Sequence, residues 1–236
     1  MRHRLPPGTR LFAQITVARH GTAALMSHLE FARALHRAVR RADLPIAYSK
    51  GFSPRPRMSF ASPLPVGVTS DGELVAMELL RSVPSLELAR ALRPQLPDGF
   101  ELVELQVIAR RKKALFEGVD GAEYVVDVGC RAAGGAEGLR ERAESGIRAL
   151  LDQRRTEIVR TTKKGERTVD IRPFVDALEL CECDSDGFSV RMRVGIAPEA
   201  MAKPAEVIEA LAASLGEVEV LHIHRVGLLA RRRGES

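Results

Sequence analysis

Two hydrophobic periods alternate along this chain, and their order narrows the fold more than any single residue does. Arg10 to Ala18 reads RLFAQITVA. Leu11, Ala13, Ile15 and Val17 alternate with Phe12, Gln14 and Thr16, the period-two pattern of a strand with one face on a core. Ser27 to Ala42 reads SHLEFARALHRAVRRA. Ser27 with Glu30 three residues on is a capping box, and Leu29, Ala32, Leu35 and Val39 recur at helical spacing. Leu44-Pro45 ends that helix. An extended, Pro-rich segment follows, then the strand GELVAMELL. Ser85 to Leu96 reads as a short helix capped by Ser85 and ended by Gly99, and Phe100 to Ala109 as another strand. The first half therefore runs β-α-β-β-α-β, the ferredoxin-like order.

The second half repeats this order without strong residue identity. Glu123 to Val128 is a strand. Leu139 to Leu151 is a helix with Leu139, Ala143, Ile147 and Leu150 on one face. Glu157 to Leu180 is β-rich, broken by a Lys163-Lys164-Gly165 turn. Phe188 to Val194 is a strand after the Asp184-Ser185-Asp186-Gly187 turn. Pro204 to Leu215 is a helix closed by Gly216, and Val218 to His224 is the last strand. The expected class is α+β, with two tandem ferredoxin-like domains over residues 10–109 and 122–230. The basic stretch 110–121 is the expected linker. The tail Arg231 to Ser236 is expected to be disordered.

The chain has 236 residues, 45% hydrophobic and 28% charged, so a sizeable core can form. Its formal charge is +5, which favours anionic partners. Cys130, Cys181 and Cys183 cannot complete a disulfide framework, which fits a reducing compartment. No apolar h-region follows the basic start, and no apolar run approaches a membrane span. The expected location is the cytoplasm, with no membrane partner.

Motifs for common cofactors are absent. There is no P-loop, no dinucleotide fingerprint, no H-E-x-x-H and no C-x-x-C, so no cofactor is expected. Cys181, Cys183, His222 and His224 form two alternate-residue pairs, each on one strand face, which is a donor set zinc accepts. The ferredoxin-like order places those strands at opposite edges, against a shared metal. His28 and His36 lie beside the arginines of the first helix, where a histidine can act as a general acid or base in RNA cleavage.

Two features point to anion binding. Arg33, Arg37, Arg40 and Arg41 share the solvent side of the first helix, and no acidic residue after Glu30 balances them. Tyr48 to Gly67 then reads YSKGFSPRPRMSFASPLPVG. Pro54, Pro56, Pro63 and Pro65 push the residues before them into extended geometry. Alternation sends Ser53, Arg55, Arg57 and Ser59 outward and Met58 and Phe60 toward the core. Lys50 and Gly51 precede this row. Gly51 permits a turn with converging backbone N–H groups, and guanidinium forks suit phosphate. Phe52 is placed to stack on a base. The expected binding residues are Arg33, Arg37, Arg40, Tyr48, Ser49, Lys50, Gly51, Phe52, Arg55, Arg57 and Ser59.

The run from Ser27 to Gly67 resembles the signature of the radical-SAM-associated domain of unknown function. Ser27, His28 and Leu29 match its helix start. Tyr48, Ser49, Gly51, Phe52, Pro54, Pro56, Ser59 and Phe60 match its loop, and Leu64, Pro65 and Gly67 match its end. That bacterial family carries a Glu followed by Tyr and a nearby Asp after the loop; here Glu73 is followed by Leu74 and Val75. The resemblance implies an accessory protein working beside a radical-SAM enzyme, encoded as a neighbour or fused to it. It implies no cluster in this chain and no catalytic residue. Three roles remain open at this level. The chain presents RNA or another anionic substrate to a radical-SAM partner, or cleaves RNA without a metal, or docks only that protein partner.

Overall fold

The computed structural model describes residues 6–130, 135–162, 165–196 and 201–229, so Lys163, Lys164 and the Arg231–Ser236 tail lie outside them. The chain has a mixed α+β fold and divides into two compact units between Glu117 and Gly118. The first contains β1 (Thr9–Arg19), α1 (His28–Arg41), β2 (Met58–Phe60), β3 (Thr69–Glu78), α2 (Ser85–Leu92) and β4 (Phe100–Arg111). Its strands lie in the order β4-β1-β3-β2, and every pairing is antiparallel. The second contains β5 (Gly121–Gly129), α3 (Gly135–Asp152), β6 (Glu157–Thr162), β7 (Gly165–Asp170), β8 (Val175–Cys183), β9 (Gly187–Gly195), α4 (Pro204–Leu215) and β10 (Glu219–Leu229). Its sheet runs β10-β5-β9-β8, again antiparallel throughout. β6 and β7 form a separate hairpin.

Helix α1 begins where its capping box is complete. The Ser27 hydroxyl accepts from the Glu30 amide, and the Glu30 carboxylate accepts from the Ser27 amide at 2.8 Å and hydroxyl at 2.7 Å. These bonds hold the Glu30 carboxyl below the usual carboxylate range. The buried face of α1 is Phe31, Ala32, Ala34, Leu35, Ala38 and Val39. Leu29, expected on this face, is exposed; it sits in the first turn, where the stripe has not yet rotated toward the sheet. Phe31 takes its place and stacks on Phe100 at 5.4 Å. Arg19 at the end of β1 is fully buried, 5.0 Å over the Phe31 ring, and donates to the carbonyls of Ala23 (3.0 Å) and Met26 (2.8 Å). It thereby fixes the turn that delivers the chain to α1.

Both helices of the first unit cover one face of its sheet, where Ala13, Ile15 and Val17 meet Val75, Met77, Leu35, Leu88 and Leu92. The opposite face carries a smaller cluster of Phe12, Ala76 and Leu115, with Ile108 and Phe116 packed on it. Both faces of β1 are therefore partly covered, so its alternation marks two apolar environments rather than core and water. Ser85 does not cap α2. Pro84 occupies that position, and the Ser85 hydroxyl instead accepts from the Val107 amide at 3.2 Å. The expected linker is also shorter, because Arg110 and Arg111 continue β4 opposite Arg10 and Thr9.

In the second unit α3 buries Leu139, Ala143, Ile147 and Leu150 and packs against α4, β8 and β9. The β6-β7 hairpin is held to α4 by Arg160. Its guanidinium binds both oxygens of Glu206, at 2.8 and 2.7 Å, and donates to the Met201 carbonyl.

Gly99 is a position where only glycine fits. Its φ is +80°, and a Cβ there would lie 2.6 Å from the His20 carbonyl oxygen and 2.8 Å from Ala23 Cβ. The same backbone accepts a bond from the His20 amide at 2.9 Å. Gly99→Ala should destabilise the first unit by about 2 kcal/mol or more, read as a lower urea midpoint at unchanged slope.

Candidate nucleic-acid interface

The Pro-rich segment is not one extended strand. It leaves α1, pairs with the end of β3, turns back and returns as β2. The Ala47 amide donates to Glu78 and the Arg57 amide to Ala47, both at 2.8 Å. Tyr48 bridges Pro56, the Ser49 amide donates to the Arg55 carbonyl at 2.8 Å, and the Arg55 amide donates to the Ser49 hydroxyl at 3.0 Å. Lys50 to Pro54 form the tip of this excursion. Gly51 turns there with φ +120°, a conformation other residues rarely adopt. Phe52 stands on the tip with its whole side chain in solvent, at 108% relative exposure. The far end of the segment is tied down too, with Leu64 buried and the Gly67 amide donating to Ala24 at 2.9 Å.

Alternation through β2 divides the segment between the two faces of the sheet. Met58 and Phe60 face the helices. Phe60 lies edge-on to His28 at 4.8 Å and to Phe31 at 5.8 Å. His28 is thus part of the packing at the start of α1. Arg57 and Ser59 face the other side, with Phe12 and Ala76.

Arg57 does not extend freely into solvent as alternation alone suggests. Its Nη1 lies 3.4 Å from Glu78 Oε2. The same carboxylate accepts from Arg10 Nη1 through both oxygens, at 2.8 and 2.9 Å. These groups border an open cavity of about 550 Å³. Arg55 and Lys112 also reach it, so four cations surround one carboxylate. Ser49 and Ser59 supply hydroxyls, and Phe12 and Pro56 supply apolar wall.

Arg33, Arg37 and Arg40 are exposed along α1. Arg55 joins this stripe to the loop. Burial, and then the nearby Arg55 guanidinium, lower the affinity of His36 for a proton. Arg57 and Ser59 belong instead to the opposite sheet face. The expected residues therefore form two surfaces that meet at Arg55. Arg10, Glu78 and Lys112 carry no motif and lie far apart in sequence; only the strand order β4-β1-β3-β2 gathers them around the loop. Glu73, the acidic residue of the resemblance, is buried in β3 opposite Val17.

Cys181 and Cys183 lie on β8, and His222 and His224 on β10. β5 and β9 separate these strands, a span of about 14 Å at ordinary strand spacing, too far for one metal ion. No described helix is long and apolar enough to cross a membrane.

Comparison with solved structures finds partial likeness to longer chains. The chain aligns with one from the crystal structure of a Cbf5-Nop10-Gar1 complex at TM-score 0.54 and 11% identity, covering 92% of this chain and 48% of that one. A chain of an H/ACA RNP bound to a substrate RNA containing 2'-deoxyuridine aligns at TM-score 0.49 and 11% identity, covering 90% and 46%. A chain of the archaeal box H/ACA sRNP Nop10-Cbf5 complex aligns at TM-score 0.47 and 16% identity, again covering 90% and 46%. The protein spans about half the length of these chains, and at such identity the likeness concerns the fold. No curated protein sequence matches. A family model described as "uncharacterized protein conserved in bacteria (DUF2344)" matches residues 13–215, most of the chain, and the protein belongs to that family.

Proposed function

We propose that this protein is a non-catalytic, cytoplasmic accessory protein that binds RNA through α1 and the Tyr48–Gly67 loop. We further propose that it consists of two ferredoxin-like domains and that its partner is a radical-SAM enzyme. The strand orders β4-β1-β3-β2 and β10-β5-β9-β8 support the domain reading. The similarity of the Ser27–Gly67 run supports the partner. The observation that carries RNA binding is Phe52, a fully exposed aromatic ring on a tip braced by backbone bonds and flanked by Lys50 and Arg55. Surfaces that take single strands combine such a ring with cations that track the backbone. Arg33, Arg37 and Arg40 continue the positive charge along α1. The solved chain with TM-score 0.54 comes from a Cbf5-Nop10-Gar1 complex, and its likeness is compatible with this reading through the fold alone.

The test is binding of a short single-stranded RNA across a salt series. The logarithm of affinity should fall linearly with the logarithm of salt. Arg33→Glu with Arg37→Glu should weaken binding by roughly tenfold or more and flatten that slope. Unchanged affinity and slope in this double variant would refute the assignment of α1. Co-purification with any radical-SAM protein encoded beside it, with and without nuclease, tests the partner and separates RNA-mediated association from direct docking.

One observation favours a second reading, metal-independent RNA cleavage. Burial, and then the nearby Arg55 guanidinium, lower the proton affinity of His36, the direction that suits a general base. Cleavage of structured RNA that vanishes in His36→Ala while binding persists would favour it.

A further inference from the structure

We infer that the cavity between the loop and the outer face of the first unit's sheet is a binding site for a phosphate monoester carried on a nucleotide. The site adjoins the Phe52 tip and the α1 stripe through Arg55 but uses neither Phe52 nor the α1 arginines, and it does not rest on the RNA reading. Three observations converge on it.

The first is charge. Among the described residues Arg10, Arg55, Arg57 and Lys112 line the cavity together with one carboxylate, Glu78. Glu78 engages Arg10 and Arg57 only through their Nη1 atoms, which holds the two guanidiniums in place while their remaining donors stay available among the described residues. A monocarboxylate ligand would leave much of the positive excess unmatched. A phosphate monoester, with a charge of about −1.5 to −2 at pH 7, matches it better and presents three acceptor oxygens to the forks.

The second is shape and lining. A volume of about 550 Å³ is far more than an inorganic ion fills and lies within the range of about 300–1,000 Å³ typical of small-molecule sites. Phe12 and Pro56 give it an apolar wall, and Ser49 and Ser59 give it hydroxyls. A ring with polar substituents, joined to a phosphate, uses all three linings; a bare phosphate uses one.

The third is construction. The Arg57 and Ser59 side of β2 is fixed because Met58 and Phe60 are anchored on the helix side of the sheet. Arg10 enters from the start of β1 and Lys112 from the turn after β4. The cations are therefore mounted on paired strands and adjoining turns rather than on a free tail.

Free nucleotides and the 5′ end of RNA both carry this group, and a titration can separate them. Calorimetry on the full chain would use adenosine monophosphate, inorganic phosphate, adenosine, and one short RNA with either a 5′-phosphate or a 5′-hydroxyl. Adenosine monophosphate should bind measurably tighter than either phosphate or adenosine. Lys112 is exposed, and Lys112→Ala should weaken adenosine monophosphate by roughly tenfold without changing the thermal midpoint. Arg10→Ala should do at least as much. Phe52→Ala should leave this binding intact, which separates the cavity from the RNA surface. A preference for the phosphorylated RNA over both its hydroxyl form and the free nucleotide would assign the site to RNA ends. Equal binding of both RNAs, together with binding of adenosine monophosphate, would assign it to free nucleotides. Adenosine monophosphate and 5′-phosphorylated RNA binding no tighter than adenosine and 5′-hydroxyl RNA would overturn the inference. So would unchanged affinity in both Lys112→Ala and Arg10→Ala.

Discussion

Phe52→Ala should weaken single-stranded RNA binding by roughly tenfold to a hundredfold and leave the unfolding midpoint where it was. Stacking one base on an aromatic side chain contributes about 1–3 kcal/mol, which sets that range. Stability should not move, because the ring is in solvent and makes no contact that folding needs. The tip is braced through Ser49, Arg55 and the Tyr48–Pro56 bridge, and none of these bonds uses the Phe52 side chain. The base of the tip is thus held by backbone bonds, while the ring itself stands free in solvent, open to a base from either side. Phe52→Trp should keep or strengthen affinity, whereas Phe52→Leu should resemble alanine if stacking is the cause. Equal affinity of wild type and Phe52→Ala, by fluorescence anisotropy at about 0.1 M salt, would remove the loop tip from the binding surface.

The largest stability effect is expected in the second unit, at Arg160 and Glu206. Their side chains are 17% and 9% exposed, and the pair is bidentate. Removing one partner strands the other in a mostly dry site. The cost is about 3 kcal/mol, near the low end for buried pairs because Arg160 retains some water. Arg160→Ala should therefore lower the urea midpoint of the second unit sharply, and the β6-β7 hairpin should exchange its amides earliest. Glu206→Gln should cost less, since the amide still accepts from Arg160. Acid adds a second handle. Burial raises the Glu206 carboxyl, but Arg160 and the Lys203 amide outweigh it and leave it below the usual carboxylate range. A lowered folded value means the contribution is complete above the unfolded value of about 4.5 and is lost as pH falls through the folded one. Glu123, clamped by Arg193 and Arg191, is lowered in the same direction. Glu206→Gln should thus be less sensitive than wild type to acidification below about pH 4.5. Parallel stability-against-pH curves for the two proteins would contradict this.

The elements with strong periodicity were readable from residues alone. Ser27 and Glu30 announce α1, Leu139 to Leu150 mark one face of α3, and Pro204 with Gly216 bracket α4. Leu29 and Ser85 were misplaced for local reasons, a first turn that faces water and a hydroxyl taken by a neighbouring strand. Alternation separates Phe12 from Ala13, Ile15 and Val17 without saying that both faces are covered. The loop's chemistry was legible in its arginines and in Phe52, but its path was not. A hairpin that folds back depends on bonds from Ala47, Ser49 and Arg55 to partners several residues away, and composition does not encode those partners. Arg10, Glu78 and Lys112 carried no signal because what unites them is strand pairing.

A cavity walled by β1, β2, the end of β3 and the turn after β4 exists only when all of those segments are docked together. The unfolded chain has no such site, so an occupant of the cavity acts as a thermodynamic clasp on the whole first unit. Saturation at a hundred times the dissociation constant would raise its stability by about 2.7 kcal/mol through mass action alone. The thermal midpoint of the first unit should then climb with ligand concentration, whereas that of the second, whose residues take no part in the cavity, should be blind to it.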